Sequence, residues 1–231
     1  MKTVAEKIIS SNKKVAFEGP SPKGVSIMNP FKENPEALKI SSQFYKKFYN
    51  DHHQRHIILG INPGRFGAGV TGVPFTDTKR LINECGLEFS GKPTHEPSAT
   101  FIYEMINAYG GIKKFYRNFY IQSIFPLGFT ATNGKGKEVN YNYYDSKELT
   151  DAVYDYMIEN IKTQISFGIS NDFCFCFGTG KNEKVLNKIN DKHQFFKRVI
   201  ALEHPRFIMQ YKFKTKELYI DKYLNAFNEI K

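Results

Sequence analysis

The sequence predicts an α/β fold: a three-layer α/β/α sandwich built on a central, mainly parallel four-stranded sheet. Three observations carry this expectation. Short apolar runs (RHIILG, NFYIQSIF, DFCFCFG and FKRVIAL) alternate with segments of helical periodicity, the order in which crossover helices join parallel strands. Most of these runs are near-continuous in apolar residues rather than alternating, as strands covered on both faces are. The first run empties into a glycine-rich loop, GINPGRFGAGVTGVPFT at 60–76. In open α/β sheets, ligands sit outside the carboxyl ends of strands.

Each element follows from its local pattern. Residues 2–11 and 34–50 read as helices; Ala37, Ile40, Phe44 and Phe48 fall at helical spacing on the second, with Pro35 near its start. A Pro/Gly/Ser loop, 18–33, lies between them. Residues 55–60 form the first strand, 77–86 a short helix and 86–97 a loop. Ser98 reads as the N-cap of a helix running to Tyr109. Residues 118–125 are the second strand, and 128–144, rich in Gly, Asn, Lys and Tyr, read as irregular. Ser146 caps a long helix over 146–166, with Leu149, Val153, Tyr156, Met157 and Ile161 on one face. The buried strand 172–178 turns through GTGK into a further helix. A fourth strand ends at His204-Pro205, and a last helix covers 215–230. There is neither an internal repeat nor a clean linker. A single domain over 1–231 is expected, with residues 1–50 as a helical segment packed on it.

Composition narrows the function classes. With 231 residues and 41% apolar content, the chain can bury one full core. No apolar run approaches the ~18 residues of a membrane span, and MKTVAEKIISSNKK lacks a secretory h-region. The three cysteines, Cys85, Cys174 and Cys176, are an odd, sparse set. They argue against a disulfide framework and fit a cytoplasmic protein. A net charge of +10 favours polyanionic partners, although lysine also serves solubility. His52, His53 and His56 match no ligand spacing, and no metal is expected.

Three strand ends carry polar residues: Asn62, Ser123 and His204. In a parallel sheet these ends share one edge, so the three side chains can converge on one pocket, with Phe75 as its roof. The loop is neither a phosphate P-loop nor a dinucleotide GxGxxG.

The stretch GINPGRFGAGVTGVPF, with HP after the last strand, resembles the uracil-DNA glycosylase superfamily. It is most similar to the single-strand-selective monofunctional (SMUG) family, in its divergent bacterial branch. That family's first motif has the form GMNPGPFGMxQTGVPF. Asn29-Pro30-Phe31 resembles its N-terminal NP segment, FYIQSIFPLGF its segment ending in HNLCPLLF, and CFCFGTGK its VVGVGR turn.

The resemblance implies a DNA glycosylase of base-excision repair. Such an enzyme hydrolyses the N-glycosidic bond of uracil, or of a related deaminated base, flipped out of DNA. It implies that Asn62 positions the attacking water, that His204 donates to the uracil 2-carbonyl, and that Phe75 stacks on the base. Gly64 and Arg65 would line the pocket through their backbone. Arg206, Phe207 and Ile208, after the histidine, would approach DNA and wedge the gap. Gly178, Gly180 and Lys181 form a turn whose N–H groups can hold a phosphate. Lys135 and Lys137 are further candidates for DNA contact. No cofactor is implied, and the expected partner is lesion-bearing DNA, bound by a monomer. No lysine matches a nucleophile position, so the expected reaction is monofunctional hydrolysis.

Three positions depart from the family pattern. Arg65 replaces a proline, Ser123 stands where the family has the asparagine that reads the uracil edge, and HPSPRN has become HPRFIMQY. Gln122 would face away on a regular strand and is a poor substitute for that asparagine. These departures leave room for a changed lesion range, such as xanthine or hypoxanthine. They also leave open a non-catalytic nucleic-acid-binding module that kept the pocket, or a hydrolase of free nucleosides.

Overall fold

The computed structural model describes residues 1–229. Its strands are β1 (Val25–Met28), β2 (Arg55–Gly60), β3 (Phe119–Ser123), β4 (Gly128–Thr132), β5 (Glu138–Tyr141), β6 (Ile169–Phe177) and β7 (Arg198–Leu202). Four of them form the expected sheet, in the order β3-β2-β6-β7, with every neighbouring pair parallel. The inner strands are apolar because both of their faces are covered: Ile57, Ile58, Leu59, Cys174, Phe175 and Cys176 are fully buried. Helices supply the cover, the longest being Lys147–Ile165, whose Ser146 accepts from Leu149 N as an N-cap. Aromatic rings fill much of the core; Phe119, Phe175 and Phe227 meet at centroid distances of 4.6 to 5.8 Å.

The structure corrects the expected course of the chain in several places. Residues 128–144 are not irregular. They contain β4 and β5, a hairpin that pairs antiparallel with itself and with β1, forming a second, three-stranded sheet in the order β1-β4-β5. The loop expected over 18–33 therefore holds a strand, together with a short Pro30–Glu33 helix. Further helices lie where none was expected: Ala68–Thr71 within the glycine-rich loop, Ile112–Asn118 and Pro205–Tyr211. Ser98 is not a cap: the helix begins at Pro97, and Ser98 lies buried in its first turn. The last helix is Lys216–Asn228; residue 230, included in the expected range, lies outside the described residues.

The parallel register brings the site together. Gly60 pairs with Ser123 across β2 and β3, while β6 and β7 end side by side at Phe177 and Leu202. The loops after β2, β3 and β7 therefore leave the sheet at one edge. Among the described residues, no helix is long and apolar enough to cross a membrane.

Candidate active site

A cavity of about 500 Å³ opens at that edge and is lined by Asn62, Gly64, Phe75, Ser123, His204, Arg206 and Phe207, among others. This is the size range of small-molecule sites. The three strand-end residues singled out in the sequence thus share one cavity.

Asn62 is held rigidly. Its Nδ2 donates to Tyr141 O at 3.1 Å, and its Oδ1 accepts from Tyr143 N at 3.1 Å. The partners belong to the end of β5 and the turn beyond it, so the second sheet fixes the side chain offered by the first. A carbonyl-type oxygen has two lone pairs, so Oδ1 retains one to orient a water. The amide has no basicity with which to take a proton outright.

His204 caps the Pro205–Tyr211 helix: its Nδ1 accepts from Arg206 N at 3.1 Å. That bond places the proton of the neutral ring on Nε2, leaving Nε2–H as a donor. Burial, with the nearby Arg206 guanidinium adding to it, lowers the His204 pKa to about 4. At neutral pH the ring is therefore an uncharged donor.

The Phe75 ring stands 5.6 Å from His204 and 5.6 Å, edge-on, from Phe177. Its backbone has φ 52°, in the left-handed region. Such a conformation is costly for a bulky residue and occurs where surrounding structure imposes it. Gly60 makes room for the ring: a Cβ there would sit 2.9 Å from Phe75 Cε2.

Ser123 lies at the end of β3, only 4% exposed. Its carbonyl accepts from Asn160 Nδ2, and among the described residues its Oγ has no hydrogen-bond partner. Gln122 is outside the cavity lining, its amide engaged by Tyr120 Oη and Ser123 N. Gly64 lines the cavity, but Arg65 does not. The Arg65 amide donates to Asn140 Oδ1, and its guanidinium pairs with Glu138 at 3.5 Å and lies over the Phe66 ring. Arg65 thus faces the hairpin.

The outer candidates divide. Arg206 and Phe207 are exposed and line the cavity mouth. Ile208 is fully buried and packs in the core, so it is not a wedge. The turn after β6 does not offer its glycine amides. Gly178 N donates to Leu202 O, and Gly180 N to Glu183 Oε2, a carboxylate standing where a phosphate would bind. Lys181, exposed beside Tyr144 of the cavity wall, is the cation left at this turn. Lys135 and Lys137 are exposed at the hairpin tip.

Several lining residues were not anticipated: Glu96, Asn140, Asn142, Tyr144, Gln210 and Tyr211. Burial, opposed by Arg206 and assisted by Asp77, raises the Glu96 pKa. The Glu96 carboxylate packs against Gly64, whose Cβ would lie 2.8 Å from Oε1. Nothing in the loop GLEFSGKPTHEP marks that glutamate. Asn133-Gly134 followed by Gly136, between runs able to form strands, was a usable hairpin signal. Among the described residues, no group of three or more His, Cys, Asp or Glu side chains is placed to hold a metal.

The profile of the Uracil DNA glycosylase superfamily matches residues 46–228. Among solved structures, the chain is similar to that titled "The crystal structure of WT Pedobacter heparinus SMUG2". The two share 59% identity over 100% of this chain and 99% of that chain, with a TM-score of 0.97. No curated protein matches the sequence.

Proposed function

The chain belongs to the uracil-DNA glycosylase superfamily, and from that premise we propose that Asn62 and His204 are its catalytic pair and Phe75 its base-stacking residue. It is a monofunctional uracil-DNA glycosylase of base-excision repair, hydrolysing the N-glycosidic bond of a base turned out of DNA.

Cleavage passes through an oxocarbenium-like sugar and expels the base as an anion. A donor aimed at the base oxygen stabilises that anion more than the neutral ground state. The uncharged Nε2–H of His204 fills this role, with its orientation set by the Nδ1 bond to Arg206 N. The cation at C1′ needs a placed water rather than a strong base. The remaining lone pair of Asn62 Oδ1 supplies the placement while the Tyr141–Tyr143 backbone holds the amide still. The water forms the new C1′–O bond and gives its proton to solvent, and the C1′–N electrons leave with the base. Phe75 covers one face of the base. The observation that carries this reading is the convergence on one cavity of Asn62 and Phe75, from the loop after β2, with His204, from the segment after β7. No lysine lines it among the described residues, which supports hydrolysis without a Schiff base.

The same reading extends to deaminated bases beyond uracil, to DNA contact through Arg206, Phe207 and Lys181, and to a single-domain cytoplasmic monomer. The test is cleavage of end-labelled oligonucleotides carrying uracil, hypoxanthine or xanthine, single-stranded and paired, with alkali to break abasic sites. Cleavage that disappears in both Asn62→Ala and His204→Ala supports the assignment. Full activity in either variant removes that residue from it, and a borohydride-trapped protein–DNA adduct contradicts simple hydrolysis.

A further inference from the structure

The cavity contains a side-chain amide that the chemistry above does not use. Asn142 follows directly on β5 and lines the cavity together with Ser123 and His204. Its main chain is fixed: its N–H donates to Asp145 Oδ2 at 2.8 Å, and its carbonyl accepts from Asp145 N at 3.0 Å. Its chain neighbours on both sides, Tyr141 and Tyr143, are the residues clamped by Asn62. Its own side-chain amide has no hydrogen-bond partner among the described residues and is not sealed in the interior. The neighbouring Asn140 differs, because its Oδ1 is taken by Arg65 N.

A carboxamide presents a donor and an acceptor side by side. Deamination turns the N=C–NH₂ edge of cytosine or adenine into the HN–C=O lactam edge of uracil or hypoxanthine. An amide pairs with that edge in two bonds, Oδ1 taking the ring N–H and Nδ2 giving to the carbonyl. Ser123 Oγ, a single atom, cannot match both groups in line.

We propose that Asn142 is the specificity-determining residue that reads the lactam edge of the flipped base, its free amide held in the cavity by a backbone that Asn62 clamps on either side. Reading that edge separates uracil and hypoxanthine from their parent bases cytosine and adenine; thymine and guanine also carry it, so their exclusion falls to other contacts. The same clamp couples reading to chemistry, since the side chain that orients the water also sets the reader. The proposal rests on the glycosylase reading of this cavity.

The experiment is single-turnover cleavage of oligonucleotides carrying uracil, hypoxanthine or 2-pyrimidinone, the last lacking both the ring N–H and the 4-oxygen. Wild type is compared with Asn142→Ala and Asn142→Asp. We expect Asn142→Ala to slow uracil and hypoxanthine cleavage about 10–100-fold, the size of two lost neutral hydrogen bonds. Its rate on 2-pyrimidinone should stay within about threefold of wild type, since there is no pair to lose. Asn142→Asp keeps the shape but sets a carboxylate against the carbonyl, and should lose at least as much on the lactam bases. Because each variant is its own control across substrates, partial misfolding cannot imitate this pattern. An equal loss on all three bases, or none on uracil, overturns the role of Asn142 alone. A wild type that cleaves none of them overturns the glycosylase reading and this proposal with it.

Discussion

Arg55 and Asn62 stand at opposite ends of β2, and both are polar side chains held by backbone groups. At the amino end, Arg55 is 1% exposed. Its guanidinium spends every N–H on Asp51 and on the carbonyls of Phe48, His53 and Tyr116, and lies over the Tyr49 ring. Nothing there is left to bind a ligand. At the carboxyl end, Asn62 is equally anchored, but the groups around it are unspent: a lone pair on its Oδ1, the Ser123 hydroxyl, the Asn142 amide and the Nε2–H of His204. A closed polar network stabilises a fold; an anchored but incomplete one awaits a substrate.

Substitutions can break or sharpen this contrast. Arg55→Ala should cost the most stability, about 3–5 kcal/mol in urea unfolding, because it strands Asp51 and several carbonyls. Its folded fraction should cleave normally. Asn62→Ala and His204→Ala should each lower the cleavage rate about 10²–10³-fold, while lesion-DNA binding survives. Phe75→Ala should cost about 1–3 kcal/mol of transition-state binding, the worth of one stacked base, visible in kcat/KM. Arg65→Ala removes a partly exposed pair with Glu138 and the contact over the Phe66 ring and should change stability by about 0–1 kcal/mol, with little effect on cleavage.

The ends should also differ in acid. The His204 pKa falls from 6.5 to about 4 in the folded chain, so the unfolded chain takes up that proton first. The contribution of His204 is therefore complete above pH 6.5 and is lost as pH falls toward 4. His204→Gln should flatten that part of the melting-temperature profile relative to wild type. An unchanged slope would place the acid sensitivity elsewhere.

The contrast also marks what the sequence made legible. The parallel sheet was readable because burial on both faces demands apolar runs, and its carboxyl edge then located Asn62, Ser123 and His204. The hairpin was not. β4 and β5 carry Thr130, Thr132, Glu138 and Asn140 on a half-exposed ladder, where apolar periodicity says little; the Asn-Gly signal at 133–134 was the only local clue. Missing the hairpin hid Asn140 and Asn142, and with them the clamp on Asn62. Ile208 was misjudged for a related reason. Without the helix the segment after His204 reads as an exposed loop, but in the Pro205–Tyr211 helix Ile208 turns inward to the core. Family resemblance carried the residue roles; the register of β2 on β3 supplied their proximity.

The most direct measurement compares Asn62→Ala with Arg55→Ala, recording thermal melting and single-turnover cleavage of a uracil oligonucleotide on the same preparations. The account predicts an Asn62→Ala protein that melts somewhat below wild type, because Tyr141 O and Tyr143 N lose their partner, but cleaves about 10²–10³-fold more slowly, and an Arg55→Ala protein that melts far lower but cleaves normally while folded. Wild-type cleavage by Asn62→Ala, or an equal catalytic loss in folded Arg55→Ala, would contradict it.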